Sequence, residues 1–339
     1  MADSSDVSSG GRERPYLTFL LPCYNEGAVL PETYRRIKAV AEAMHKSYEI
    51  VLVNDGSIDD TLGQMLQFAQ RDPALVVVNL SRNHGHQLAL SAGLHYCAGD
   101  RVLIMDADLQ DPPELLPQML TLMDQGSDVV YAQRRSRPGD EAMKRLACAV
   151  FYRVLCRLSE QPIQLDSGDF RLISRRVLEI ILQMPERHRF LRGMVSWVGF
   201  RQMPFLYDRD KRFAGVTKYS LSRLLRLALD GVVASSTRPL ALASYAGLLF
   251  AAAGLVLIVY ALYSRWNVGQ TPQGWTSLMI VITVLGSVQL FVLGIIGQYL
   301  GRMHEQTRGR PLFVVDSVYR SKDNGATTDL PAVPAVRSH

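Results

Sequence analysis

Four short apolar runs in the first third of the chain, residues 16–21, 48–53, 75–80 and 102–105, limit what this sequence can fold into. Each is too short for a helix and of the length expected of a buried strand. Stretches of helical character, about 31–46, 61–71 and 85–98, separate them. Strands alternating with helices predict an α/β fold with a mostly parallel, doubly wound sheet. Every run stops abruptly. Pro22 is read as ending the first, before Tyr24, Asn25 and Glu26; Asn54 and Asp55 end the second; Ser81 to Gly85 end the third. The fourth runs into Asp106, Asp108 and Asp111, with Pro112 and Pro113 forbidding further ladder bonds. Ligands of open α/β sheets sit just beyond the carboxyl ends of the strands, where these acids fall.

On an extended segment, side chains two apart share a face, so Asp106, Asp108 and Gln110 are expected to point at one ligand. Such hard oxygen donors suit Mg2+ or Mn2+ held together with substrate phosphates. A lone D-x-D is a weak signal, since acidic loops after strands are commonly just solvated. No G-x-G-x-x-G follows the first run and no G-x-x-x-x-G-K-[ST] occurs, which argues against a dinucleotide or P-loop enzyme. Acids at strand ends suit a base and ribose instead, with a metal bridging a diphosphate. His84 and His86 admit two readings, metal ligands or a loop and helix-start role beside the nucleotide, and the second is preferred because no third ligand is evident nearby.

The charge is unevenly spread. Residues 201–238 hold eight Arg and Lys against three acids, an excess that by itself equals the +5 of the whole 339-residue chain. A modest overall charge disfavours a nucleic-acid binder. An arginine cluster from Arg134 to Arg137 could grip phosphates or lie solvated. Residues 142–158 and 216–238 read as basic amphipathic helices suited to an anionic membrane surface. Two runs, 240–263 and 276–300, contain no Asp, Glu, Lys or Arg and exceed the ~20 residues that cross a bilayer. Arginines flank their outer ends, which puts both termini in the cytoplasm, and Trp266 and Trp275 sit where an interfacial belt is expected. Residues 1–14 read as unstructured and 302–339 as a cytoplasmic tail. Cys23, Cys97, Cys148 and Cys156 form no C-x-x-C pair, consistent with a reducing compartment.

The ordered motifs LPCYNEG, VLVNDGSIDDT, NHGHQLALSAGL and MDADLQDPPE resemble those of family 2 glycosyltransferases of the GT-A fold. The resemblance covers about residues 15–220, with the catalytic domain itself set at 15–215. It implies that Pro22, Tyr24, Glu26 and Asp55 hold the base and ribose, that Asp106 contacts the nucleotide, and that Asp108 and Gln110 bind the metal. In G-D-F-R it implies a catalytic carboxylate, Asp169. Residues 212–220 resemble the family's R-x-x-G-x-[ST]-K-Y-S loop, so that Arg134, Arg212 and Lys218 would face phosphates, with Thr217 standing where Ser is common. Asp166 reads better as a turn or capping residue. With two C-terminal spans, the chain is similar to the polyprenyl-phosphate branch of bacterial bactoprenol glucosyltransferases. That implies inverting transfer from a UDP-sugar, glucose first, to undecaprenyl phosphate at the plasma membrane, by a homo-oligomer with a tetramer as first choice.

Two rivals stay open on sequence. A processive polysaccharide synthase would carry Q-x-x-R-W, whereas the Arg-Trp pair at Arg265 lacks the Gln and sits at the wrong end of a span. A non-catalytic membrane scaffold would not need the intact acidic motifs.

Overall fold

The computed structural model describes residues 14–134, 167–187, 189–207, 238–268 and 274–321. The chain divides into two compact units, Met1–Arg145 with Ile163–Lys218 and Arg310–His339, and Leu146–Pro162 with Tyr219–Gly309.

The first unit is built on an eight-stranded sheet of order β7-β5-β6-β4-β1-β2-β3-β8. The strands are β1 (Leu17–Cys23), β2 (Tyr48–Asn54), β3 (Leu75–Leu80), β4 (Arg101–Ile104), β5 (Val129–Arg134), β6 (Ser167–Ser174), β7 (Gln202–Tyr207) and β8 (Val315–Arg320). Helices α1 (Leu30–Ala43), α2 (Thr61–Arg71), α3 (His86–Tyr96) and α4 (Leu116–Asp124) follow the first four strands, and α5 (Arg175–Gln183) and α6 (Leu191–Trp197) come after β6. Strand alternation sorts the core onto two faces. Leu17, Phe19, Leu21 and Cys23 pack with Ile37 of α1, Met65 of α2 and Met119 of α4. Leu20, Val51 and Val53 pack with α3, with Val177 and Ile181 of α5 and with Met194 of α6. Helix α3 sits so close that a Cβ on Gly93 would meet the side chains of Leu20 and Val53.

Pro22 does not stop β1. The strand runs through it to Cys23, paired with β2 as far as Cys23↔Asn54, and Asp55 N–H still reaches the Cys23 carbonyl at 2.9 Å. On the other side, pairing with β4 ends at Leu20↔Ile104, and the last bond is Met105 N–H to the Leu20 carbonyl at 3.1 Å. Backbone groups of a parallel strand alternate between neighbours, so the residue due to donate next toward β4 is Pro22, which has no N–H. The sheet therefore parts between β1 and β4, at the point where strand order reverses.

Three strands differ from the sequence reading. Residues 167–174, which hold the G-D-F-R motif and were not read as a strand, form β6, antiparallel to both β4 and β5. Part of the basic segment after residue 201 forms β7, parallel to β5 at the sheet edge, where Pro204 is tolerated. Residues 315–320, read as tail, form β8, antiparallel on β3. The sheet is mostly parallel but mixed.

The second unit contains two long helices, α7 (Arg238–Val268) and α8 (Trp275–Thr307), which contact each other. Among the described residues one stretch, Val284–Thr307, is long and apolar enough to cross a membrane by length and composition. The expected amphipathic helix 142–158 and all of 216–238 but Arg238, together with Asp166 and Arg212, lie outside the described residues, Lys218 among them.

Candidate active site

The carboxyl ends of β1 and β2 carry two loops stitched together. Asn25 N–H donates to Ser57 Oγ at 3.0 Å, Ile58 N–H to Asn25 Oδ1 at 2.9 Å, and Glu26 N–H to Thr61 Oγ1 at 2.9 Å. Pro22 is buried, Glu26 is half-buried, and Tyr24 stands 45% exposed on the rim. Gly56 is required here: its φ is +65°, and a Cβ would lie 2.5 Å from the Asn83 nitrogen. That close approach brings residues 82–86 against the end of β2. Asp55, buried at the end of β2, accepts His84 N–H at 2.7 Å and Gly85 N–H at 3.0 Å. It thus anchors the loop entering α3, while burial pushes its pKa up and these bonds oppose the rise.

Across the parted strands, four elements converge on Asp169. His86 Nε2 at the start of α3 lies 3.0 Å from Asp169 Oδ2 on β6 and 3.6 Å from Asp106 Oδ1 just beyond β4. Arg192 of α6 forks onto Asp169, Nε to Oδ1 at 2.8 Å and Nη2 to Oδ2 at 3.1 Å. Gln87 donates to Asp169 Oδ2 at 3.4 Å and accepts Leu191 N–H at 3.0 Å, so one side chain secures both the carboxylate and the start of α6. The Asp169 side chain is only 6% exposed, against 30% for Asp106, 41% for His86 and 39% for Arg192. The accessible groups are therefore Arg192, His86 and Asp106, with Asp169 beneath them.

The electrostatics follow that layering. Burial works to raise the Asp169 pKa, yet hydrogen bonds from His86 and Arg192 and the charge of Arg171 hold it well below the usual carboxylate range. Arg171, two residues along β6 on the same face, is fully buried, donates to the Gly168 carbonyl at 2.9 Å, and has its own pKa lowered to about 10 by burial. Asp106 is pushed up to about 6, chiefly by burial, with the charges of Asp169, Asp111 and Asp108 adding and His86 opposing. His86 rises despite burial because both acids favour its cation.

Asp108 and Gln110 follow Asp106 on a segment that is no longer strand. β4 ends at Ile104, Leu109 takes φ +59°, and Asp108 Oδ1 turns back to accept Gln110 N–H at 3.1 Å. Even so, Asp106, Asp108 and Gln110 are half-buried and alternate with buried Met105, Ala107, Leu109 and Asp111, so the two-residue alternation expected from the sequence persists beyond the strand. Asp111 is fully buried and accepts the Tyr207 hydroxyl at 2.5 Å, which makes it a strut between this loop and β7.

The donor chemistry fits a divalent cation. Ligand atoms of His86, Asp106 and Asp169 lie within 4.8 Å of one another. Arg192 already occupies both oxygens of Asp169, however, so the carboxylate crowding that calls for a cation is at Asp106 and its neighbour Asp108. Hard oxygens under mutual repulsion suit Mg2+ or Mn2+.

Sequence reasoning did not find Arg192 or Gln87; it read His86 as a loop and helix-start residue, and His86 does open α3, but its contact with Asp169 was not foreseen. Their contacts with Asp169 span 23, 82 and 83 residues, with no local pattern to announce them. Arg134 is the last residue of β5.

The model for glycosyl transferase family 2 matches residues 18–182, and that for the GtrB C-terminal hairpin matches residues 238–303. An uncharacterized glycosyltransferase, YkcC, of Bacillus subtilis (strain 168) is 40% identical over 89% of this chain and 94% of its own. The chain belongs to glycosyl transferase family 2. A prophage bactoprenol glucosyl transferase homolog of Escherichia coli (strain K12) is 35% identical over 89% of this chain and 99% of its own. Among solved structures, glucosyl-3-phosphoglycerate synthase from Mycobacterium tuberculosis, in complex with Mn2+, UDP and glucosyl-3-phosphoglycerate, shares 19% identity at a TM-score of 0.42. That match covers 65% of this chain and 78% of that one. Family 2 membership and the mostly parallel sheet agree with the expected GT-A-like α/β fold, with the acids of its motifs at the strand ends.

Proposed function

We propose that this glycosyltransferase moves a sugar, glucose first, from a UDP-sugar to a polyprenyl phosphate, with inversion, at the cytoplasmic face of a bacterial plasma membrane. The observation that carries the reading is the crowded cluster at the parting of β1 and β4, where Asp106 and buried Asp169 flank His86. The lipid acceptor is supported by relatives named bactoprenol glucosyl transferase, whose similarity runs on through the helical hairpin. It is also supported by the large apolar side chains that α7 and α8 leave exposed, among them Leu248, Leu249, Tyr263, Leu290 and Phe291. A tetramer remains the first oligomeric state to test.

The acceptor phosphate has a second pKa near 6, about that of other phosphomonoesters, so it attacks the anomeric carbon without needing a strong base. Asp169, ionised and occupied by three donors, is suited to holding His86 and Arg192 in place and poorly suited to taking a proton. Arg192, joined by His86 when that ring is protonated, offsets repulsion between the phosphates, a task that the reading shares with Arg134, Arg212 and Lys218. Asp106, Asp108 and Gln110 would hold Mg2+ or Mn2+, whose chemistry when bound is to neutralise charge on the departing nucleotide. Pro22, Tyr24, Glu26 and Asp55 would line the base and ribose.

The test is a donor screen of the purified full-length protein in lipid, with and without undecaprenyl phosphate. Glycolipid formed only when both UDP-glucose and the lipid phosphate are present supports the proposal. Elongation of a polysaccharide without lipid phosphate would overturn it in favour of a processive synthase.

A further inference from the structure

We propose that residues 312–320 form a strap that positions the active-site loop 81–86, with His84 as the positioning residue through which it acts. The proposal rests on reading that loop as part of the sugar-transfer site.

The strap joins the sheet as β8, in register from Val76↔Arg320 to Leu80↔Val315, with a shift at Asn79 and Leu80. Just ahead of the ladder, Val314 makes two bonds to the loop. Its carbonyl accepts Ser81 N–H at 3.0 Å, and its own N–H donates to His84 Nε2 at 3.4 Å, across 230 residues of sequence. An imidazole that accepts at Nε2 carries its proton on Nδ1 and is neutral. Burial, which lowers the pKa of His84, favours that form. The backbone N–H of the same residue holds Asp55, and His86 two residues on holds Asp169. His84 therefore ties the strap to both ends of the site.

Two further contacts keep the strap seated. Phe313 is 5% exposed, its ring tilted against His95 of α3 at 5.6 Å. Asn79 donates to Asp316 at 3.0 Å while accepting from Asn54, the neighbour of Asp55, at 2.7 Å. The loop is thus held between the turn at Gly56 and the Val314 backbone. A loop fixed on both sides presents His86 in one geometry, and small misplacements of reacting partners cost large factors in rate.

The experiment uses the full-length protein in lipid. Removing the ring, His84→Ala, is expected to lower kcat by about ten- to a hundredfold while the donor KM moves by less than about threefold. A Gln side chain places an acceptor near the Nε2 position, so His84→Gln should recover most of the loss. Val314→Pro deletes the N–H that His84 accepts, and the double variant should be no worse than the more impaired single one, because both remove the same bond. Hydrogen exchange of the 81–90 segment should quicken by about tenfold in His84→Ala and return toward wild type in His84→Gln. The exchange arm needs no turnover: if wild type transfers no sugar, it still decides the strap, and the failure belongs to the reading of the reaction. If Val314→Pro does not accumulate, the Ala and Gln pair with exchange decides. Unchanged exchange in His84→Ala, losses that multiply in the double variant, or His84→Gln as impaired as His84→Ala would each overturn the proposal.

Discussion

Arg192 grips Asp169 by both carboxylate oxygens, at 2.8 and 3.1 Å, from a helix that begins only at Leu191. The fork keeps a buried carboxylate charged. Replacing Arg192 by Met leaves the burial in place and removes both the hydrogen bonds and the charge that this residue sets beside the His86 bond, so the Asp169 pKa should climb. The sign is fixed: the mutant loses its anion as pH falls, and its defect grows from about pH 8 toward pH 5.5. A charge-assisted hydrogen bond contributes roughly 1.5–3 kcal/mol, or about ten- to a hundredfold in kcat. A defect of the same size at every pH would mean that the fork does not set the charge of Asp169.

Asp169→Asn itself tests proton removal against orientation. Since Asp169 is already far below its ordinary pKa, the loss should be large and nearly constant from about pH 5.5 to 8.5, a range bracketing the acceptor's second pKa. A loss confined to the acid side and fading upward would restore Asp169 as a base.

Metal dependence should follow the crowding at Asp106. Chelation should abolish transfer, and Mg2+ or Mn2+ should restore it. Asp108→Asn should cut turnover by about a hundredfold or more while the protein stays in the membrane fraction. Transfer that continues undiminished in excess chelator would remove the metal from the reading.

Tyr207→Phe tests the strut. It deletes one hydrogen bond to fully buried Asp111, and a buried acceptor that loses a donor costs about 1–3 kcal/mol. Thermal unfolding followed in detergent should show a lower midpoint for the sheet unit, with donor KM little changed. An unshifted midpoint would mean that the remaining contacts of Asp111 suffice.

The elements up to β4 were legible because each is a local pattern, an apolar run or a helical stripe with a stopping residue. The acids at their ends were legible for the same reason. β6 was not, because Asp169 and Arg171 face inward on one side of a central strand, and two buried charges make a strand look like a polar loop. β8 was hidden by distance, with Asn79 and Asp316 bonded across 237 residues. Pro22 was read correctly as punctuation but for the wrong neighbour: it ends the pairing with β4 and leaves that with β2 intact.

The last strand has a practical consequence for anyone wishing to work without detergent. Cutting the chain before the helical hairpin discards β8 and strips β3 of its outer partner. The fragment would then present an apolar run of Leu75, Val76, Val77 and Val78 with unpaired backbone groups, a template for aggregation. A short linker that deletes the hairpin yet carries the chain on to residues 310–321 would keep that edge covered, and of the two fragments it is the one expected to remain monodisperse.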